Sequence, residues 1–445
     1  MKVSSENRIF LKTLLVLAPP VIGQELLSAL VNILSSIMIG RAMGINEITA
    51  VGISSQIFLS FNLALFGITS GCAVFIGQYY GKGDKENIHK IMGIGYVSSI
   101  LLTLAVVVVA FFFPHWLMGL FSQDPVVIEL GAQFIRVASI SYFLVAIIST
   151  NNSAMRSVGQ TRVPMLTASA ALLVSFALNY IFIFILGAPL AIIATGTIIA
   201  RIVELFLQRY FSKKYDLPTR AKFKKYFNFD FPYVKKFYKI TIFILLLMVI
   251  RAAAVAFYTM AYGLVGTYAQ GAVQISSAML QVFQIFGGGV AVAAGIIIAT
   301  TLGKGERDLA TRYARKCLFF AFTVSAVMGI LLVISSPFIV SFYDVAENVE
   351  FYVYRIIYVM AFCMILRTLS FTMLGGILRS GGDTKFCFWI VVIAVGISVP
   401  VTFAGATIWN LPIYWVVALS FTEDVIKVSA GLTRTFSNKW ANTLV

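Results

Sequence analysis

The fold class predicted is an all-α membrane protein with twelve transmembrane helices, in two six-helix halves related by a pseudo-two-fold axis along the membrane normal. Three observations carry it. Of 445 residues, 60% are hydrophobic and 12% charged, with a mean hydropathy of +0.92, whereas soluble globular domains carry about 25% charged residues. Apolar runs of about 20 residues, enough to cross a hydrocarbon core, recur from end to end. Short polar motifs also recur: "GKGD" at 81–84 returns as "GKGE" at 303–306, an offset of 222.

Backbone groups in lipid must be bonded within their own segment, so each apolar run is read as a helix. Span one is 13–39. Its basic start suits a signal peptide, but the apolar character continues to Gly40 with no small-residue cleavage site. Spans two and three, 50–76 and 91–113, flank "GQYYGKGDKENIHK" at 77–90. That break lacks the GxxxxGK[ST] spacing of a phosphate loop and reads as an inner turn, glycine permitting the reversal. Spans four to six are 127–152, 164–186 and 189–209.

The longest polar break follows, basic and aromatic. It divides the chain into an N-terminal six-helix half, 1–210, a cytoplasmic basic linker, 211–239, and a C-terminal six-helix half, 240–445. Spans seven to twelve are 241–263, 268–301, 317–339, 351–376, 386–408 and 411–432.

A net charge of +16 raises nucleic acid as a partner, and the placement of the charges argues against it. With both termini cytoplasmic, 28 of the 34 Lys and Arg fall in inner segments, ten of them from Arg209 to Lys239. Glu47, Asp124, Glu129, Asp344, Glu347 and Glu350 lie on or near the outer face. This positive-inside pattern sets topology and faces anionic lipid, so membrane lipid is an expected partner and nucleic acid is not. Cys72, Cys317, Cys363 and Cys387 are scattered, and His89 and His115 are the only histidines. Neither a disulfide framework nor a metal site is expected.

Two more markers support the duplication. "RSVGQT" at 156–161 returns as "RSGGDT" at 379–384, offset 223, and Glu204 of span six has a counterpart in Glu423 of span twelve, offset 219. An even number of spans per copy makes the repeats parallel, and the default site is near the midplane between halves.

No Walker A motif is present, so direct ATP drive is not expected; no enzymatic activity is read from the chain either. A secondary transporter couples through groups embedded in the membrane, where ionisable residues are costly. Glu25 lies midway along span one, five residues after Pro20. It serves either a coupling role or packing against a basic or amide neighbour. Glu204 and Glu423 lie in the inner halves of spans six and twelve, beside Arg201 and beside Asp424 with Lys427. They are inner-gate candidates or interfacial helix ends.

Arg251 and Arg367 fall deep in the second half and require a cavity, a buried acid or an anionic substrate. Arg136 and Arg355 read as outer anchors. Asn32, Ser35 and Asn179 join Glu25 as ion or proton coupling candidates. Gln24, Gln56, Asn62, Gln274, Gln281 and Gln284 join the two arginines as cavity candidates, with interhelical bonding the alternative; Ser36 belongs to the same polar set.

The chain resembles the multidrug and toxic compound extrusion (MATE) transporters, in the bacterial branch related to the DNA-damage-inducible transporters. The carriers are "LAPPVIGQELLSALVN" and "MIGRAMG" in span one, "AVGISSQIF" and "GQYYGKGD" around span two, "AMRSVGQTRVPM", "IIARIVELF", "ILRSGGDTK" and "EDVIKVSAGLTRTFSNKW", in that order. The resemblance implies an exporter in the bacterial cytoplasmic membrane, and two halves enclosing one cavity make a monomer sufficient. It would move small amphiphilic, often cationic compounds outward by alternating access, driven by inward proton or sodium, with no other cofactor.

Two departures qualify this. Most relatives carry an aspartate where this chain has Ser35, and many carry a glutamate near the position of Met248. Both usual coupling carboxylates are absent, and Glu25, usually an amide in relatives, is the candidate replacement. The alternatives are a flippase or exporter of lipid-linked or anionic compounds, and a degenerate relative without coupled transport.

Overall fold

The computed structural model describes residues 5–341 and 347–445; Lys2, Asp344 and the side chain of Glu347, used above for topology, lie outside the described residues. Helices follow one another with short turns: α1 (Ser5–Ala42), α2 (Ile45–Lys82), α3 (Lys85–Phe112), α4 (Pro114–Gly119), α5 (Pro125–Ala138), α6 (Ser141–Ser157), α7 (Arg162–Tyr180) and α8 (Leu190–Lys214). After the short α9 (Phe223–Tyr226) come α10 (Phe231–Val265), α11 (Thr267–Gly303), α12 (Arg307–Val340), α13 (Glu347–Phe371), α14 (Thr384–Thr407), α15 (Ile413–Ser420) and α16 (Thr422–Phe436). Segments of π-helix extend α7 at Ile181–Ile185 and α13 at Thr372–Leu378.

Among the described residues, ten helices are long and apolar enough to cross a membrane, and an eleventh crossing is α5 with α6, bent by 51°. α15 and α16, separated only by Phe421, occupy the twelfth predicted span. Each of the twelve predicted spans is thereby occupied by helix, in the all-α membrane architecture expected from the sequence.

The duplicated motifs are duplicated turns. After α2, Gly83 has φ of +80°, its N–H donates to the Tyr80 carbonyl, and the Asp84 N–H donates to Tyr79. After α11, Gly305 has φ of +82°, with the same bonds to Leu302 and, from Glu306, to Thr301. Gly159 and Gly382, both at +79°, close α6 and the extended α13 in the same way, through bonds to Arg156 and Arg379. All four are Schellman caps whose left-handed residue favours glycine. "GKGD" is therefore a helix terminator, with Asp84 capping α3 by accepting from the Asn87 N–H at 3.0 Å.

The two differences between the copies of the second motif, at 156–161 and 379–384, have a packing cause. Where the first copy has Val158, the second has Gly381, and a Cβ there would lie 2.2 Å from the carbonyl oxygen of Trp440. Trp440 is fully buried, its indole N–H donating to Thr435 at 2.9 Å. Asp383, in place of Gln160, accepts from Arg434 at 2.6 Å. The second copy of the turn is a dock for the C-terminal segment. Gly381→Ala overfills that dock and is expected to cost about 1–3 kcal/mol, read as a lowered unfolding midpoint in detergent; an unchanged midpoint would show that the tail is not held there.

The chain forms two compact units, one comprising Met1–Ile22 with Ile242–Val445 and the other Gly23–Thr241. The boundaries differ from those read at 210 and 240, for two reasons. The first turns of α1 bury Phe10, Leu14, Leu17 and Ala18 in a core shared with Ala293, Ile297, Tyr313 and Leu318 of α11 and α12. Glu6 adds an ion pair to Lys316 at 2.8 Å.

The segment read as a linker belongs to the Gly23–Thr241 unit. Its Leu217, Thr219 and Phe237 are buried, and the Pro218 carbonyl meets His89 Nε2 at 2.9 Å. Gly93 is bare where the Tyr226 carbonyl presses on α3. The Tyr226 hydroxyl donates to the Thr219 carbonyl at 2.8 Å and accepts from the Ala221 N–H at 3.0 Å. Its basic side chains, among them Lys222, Lys224 and Lys225, remain exposed.

Candidate functional site

Each unit carries an embedded polar network built on the last crossing of its repeat. In the Gly23–Thr241 unit, α8 buries a stripe of Glu204, Gln208 and Ser212, one turn apart. Glu204 is 1% exposed and holds Arg201 at 2.6 Å. Gln208, equally buried, accepts from Asn151 Nδ2 at 3.0 Å and donates to Asn152 Oδ1 at 2.8 Å. Tyr96 of α3 donates to Asn151 Oδ1. The relay joins α3, α6 and α8, with both ends of the Asn151 and Gln208 amides bonded.

Gln208→Leu would strand two amides, each costing about 1–3 kcal/mol. The variant is expected to unfold at clearly lower temperature than Gln208→Glu, which keeps an acceptor for Asn151; equal midpoints would refute the network's structural role.

Arg156 of α6 is the second centre of this unit. It donates to Gln24 Oε1 at 2.8 Å, its Nε is buried without an acceptor, and the charges of Glu25 and Glu204 both act on it. Glu25 itself is exposed on α1 and makes no hydrogen bond or ion pair among the described residues. Gln24, Glu25 and Glu204 are thus brought together around an arginine that the sequence reading used only for topology.

Of the remaining candidates in this unit, Asn32 and Ser36 are exposed along α1 and Ser35 is half-buried. Gln56 is exposed, and Asn62 turns its amide back to the Phe58 carbonyl at 3.1 Å. Asn179 is buried beside Gly196, its Oδ1 without a partner. None of these joins the Arg156 group.

The other unit answers with ions. Lys427 Nζ lies 2.7 Å from Glu423 Oε1 and 2.8 Å from Asp424 Oδ1, all three well covered. Tyr258 of α10 donates to Glu423 Oε2 at 2.8 Å, and Ser370 of α13 donates to Asp424 Oδ1 at 2.7 Å. Arg367 Nε stands 3.4 Å from Asp424 Oδ2 with its guanidinium 4.8 Å from the Phe421 ring centroid. Arg251 is exposed, 5.9 Å from the Phe371 ring centroid, in the field of Arg367 and both acids.

The π-helical turn of α13 begins at Thr372, directly after Phe371, a position typical of such turns at functional sites. Gln274 and Gln281 are exposed and Gln284 is half-buried with an unpartnered Nε2, and none of the three meets the cluster. Toward the helix ends, Arg355 lies 5.1 Å from the Phe351 ring centroid and Arg136 Nε donates to the Phe111 carbonyl at 3.3 Å.

Sequence reasoning missed Asn151, Asn152, Gln208, Tyr96, Tyr258 and Ser370. The i, i+4, i+8 polar spacing of Glu204, Gln208 and Ser212 within an apolar span is the signal that marks the first group. Tyr258 and Ser370 carry no such signal.

A duplicated bundle of apolar helices with a charged cluster in each unit defines a multi-pass membrane transporter. The MatE family profile matches residues 20–181 and 235–404, and the chain belongs to that family, the multidrug and toxic compound extrusion transporters. It is 33% identical over 142 residues, 31% of this chain and 30% of the relative, to the probable multidrug resistance protein NorM of Thermotoga maritima. It is 23% identical to the uncharacterized transporter YisQ of Bacillus subtilis, over 80% of this chain and 79% of that one. It is likewise 23% identical to rabbit multidrug and toxin extrusion protein 1, over 89% of this chain and 70% of the relative.

In fold it is similar to a multidrug resistance MATE family transporter of the MOP superfamily solved in an outward-facing conformation. The TM-score is 0.87 at 14% identity, over 99% of this chain and all of that one. A MOP superfamily transporter from Pyrococcus furiosus gives 0.86 at 15% identity, over 96% of both chains.

Proposed function

We propose that this protein is a secondary-active exporter that moves amphiphilic organic compounds out of the cell by alternating access. The observation that carries the reading is the MatE match across both halves, to which the embedded charges add a physical basis for coupling. Relatives named as multidrug resistance or extrusion proteins support the substrate class. The inward movement of a proton or sodium supplies the drive, and Glu25 is its carrier. Glu25 is an embedded acid with no hydrogen-bond partner among the described residues, beside a half-buried arginine whose Nε is buried without an acceptor. When Glu25 is neutral, Arg156 is left to Gln24 and Glu204; when it is charged, it competes for Arg156. That exchange gives a carboxylate two states that differ in their surroundings, which coupling requires.

The protein acts as a monomer in the bacterial cytoplasmic membrane with both termini inside, supported by the positive-inside distribution and by exposed lysines on the docked basic segment. Purified protein in liposomes, given an inward proton or sodium gradient, is expected to expel an amphiphilic dye; efflux indifferent to both gradients would defeat the proposal.

A further inference from the structure

Three cations face two carboxylates in the unit comprising Met1–Ile22 and Ile242–Val445, and the pairing is uneven. Lys427 serves both acids at short range, while Tyr258 and Ser370 supply each with a hydroxyl donor. Arg367 reaches Asp424 only at 3.4 Å, through one nitrogen, and keeps 44% of its side chain exposed. Arg251 has no acceptor among the described residues.

Arg251 does not escape by snorkelling. Arg251 lies ten residues from the nearer end of span seven, 241–263, about 15 Å of helix, well beyond the reach of its side chain. An uncompensated guanidinium at that depth requires water or an anion. The two are also neighbours: Arg251 sits on Phe371, one helical turn from Arg367 on α13. Arg367 in turn sits on Phe421. Two forked donors therefore lie together beside the half-buried Phe371, with the buried Phe421 ring backing Arg367.

We infer that Arg251 and Arg367 form a binding site for the acidic headgroup of an amphiphile, a carboxylate, sulfonate or phosphate, with the half-buried Phe371 taking part of its apolar body. The site gives the proposed exporter a preference for anionic cargo, and the inference rests on that transporter reading. Guanidinium forks match planar oxyanions in two bonds at once.

The test uses two probes with one body, 11-(dansylamino)undecanoic acid and its trimethylammonium analogue, titrated into purified full-length protein in a neutral maltoside detergent. Arg251→Gln is expected to weaken the anionic probe by about tenfold or more and to leave the cationic probe unchanged or tighter. Arg251→Lys keeps the charge without the fork and is expected to fall between wild type and Arg251→Gln. Loss of both probes together, or of neither, overturns the inference.

Dihexanoyl phosphatidylglycerol that displaces the acid as readily as undecanoate would assign the site to membrane lipid and overturn its reading as a cargo site. Binding needs no ion gradient, so failure of gradient-driven efflux defeats the exporter reading while leaving this result to stand or fall separately.

Discussion

Glu25→Gln is expected to reduce proton-driven dye efflux from liposomes to the level of protein-free controls, while leaving substrate binding in detergent near wild type. Glutamine fills the same volume and hydrogen-bonds as well, but cannot exchange a proton, so the substitution removes titration and little else. The choice of Glu25 rests on comparing the embedded acids. Glu204 is held by Arg201 at 2.6 Å, while Glu423 and Asp424 are clamped by Lys427. Carboxylates so paired would have to break a buried ion pair at each proton uptake, which is costly.

Glu25 is exposed and unbonded among the described residues, so it can load and unload without that cost. Glu25→Asp, which keeps the acid on a shorter stem, is expected to retain part of the driven flux. Proton-driven efflux that survives in Glu25→Gln would return the coupling role to the paired acids and leave Glu25 a structural partner of Arg156.

The spans were legible because lipid imposes one rule on every segment, and hydropathy reports it. The repeat was legible because its markers are helix terminators, and glycine at φ near +80° is demanded by backbone geometry in both copies. The unit boundaries were not. The face Phe10, Leu14, Leu17, Ala18 can be read as a helical stripe, but nothing in it names α11 and α12 as what it packs against.

The candidate site divided similarly. Charged residues deep in a span announced themselves by cost, and Glu204, Glu423, Arg251 and Arg367 all fall in or beside the networks. Single amides did not: Gln56, Gln274 and Gln281 stand alone among the described residues, while Gln208 closes a relay. An amide's role depends on what faces it, and that is a tertiary fact.

Lys427→Met is expected to lower stability by about 3–5 kcal/mol, the cost of leaving buried charge without its partner. The repeat shows why Lys427 is there. At the offset of 219 that relates Glu204 to Glu423, Asp424 corresponds to Leu205 and Lys427 to Gln208. One acid in the first copy is satisfied by Arg201 on its own helix; two adjacent acids in the second copy need a cation between them. Asp424 and Lys427 therefore form one paired difference between the copies.

Rebuilding the first copy's residues in the second, Asp424→Leu with Lys427→Gln, should cost markedly less than the two single substitutions added, because the carboxylate that Lys427 neutralises leaves with it. Arg367, freed from Asp424, keeps its place on Phe421. Unfolding midpoints in detergent for wild type, both single variants and the double variant complete the cycle. Strictly additive losses would mean that Lys427 and Asp424 are stabilised independently, and that the shift from an amide relay to an ion cluster has some other cause.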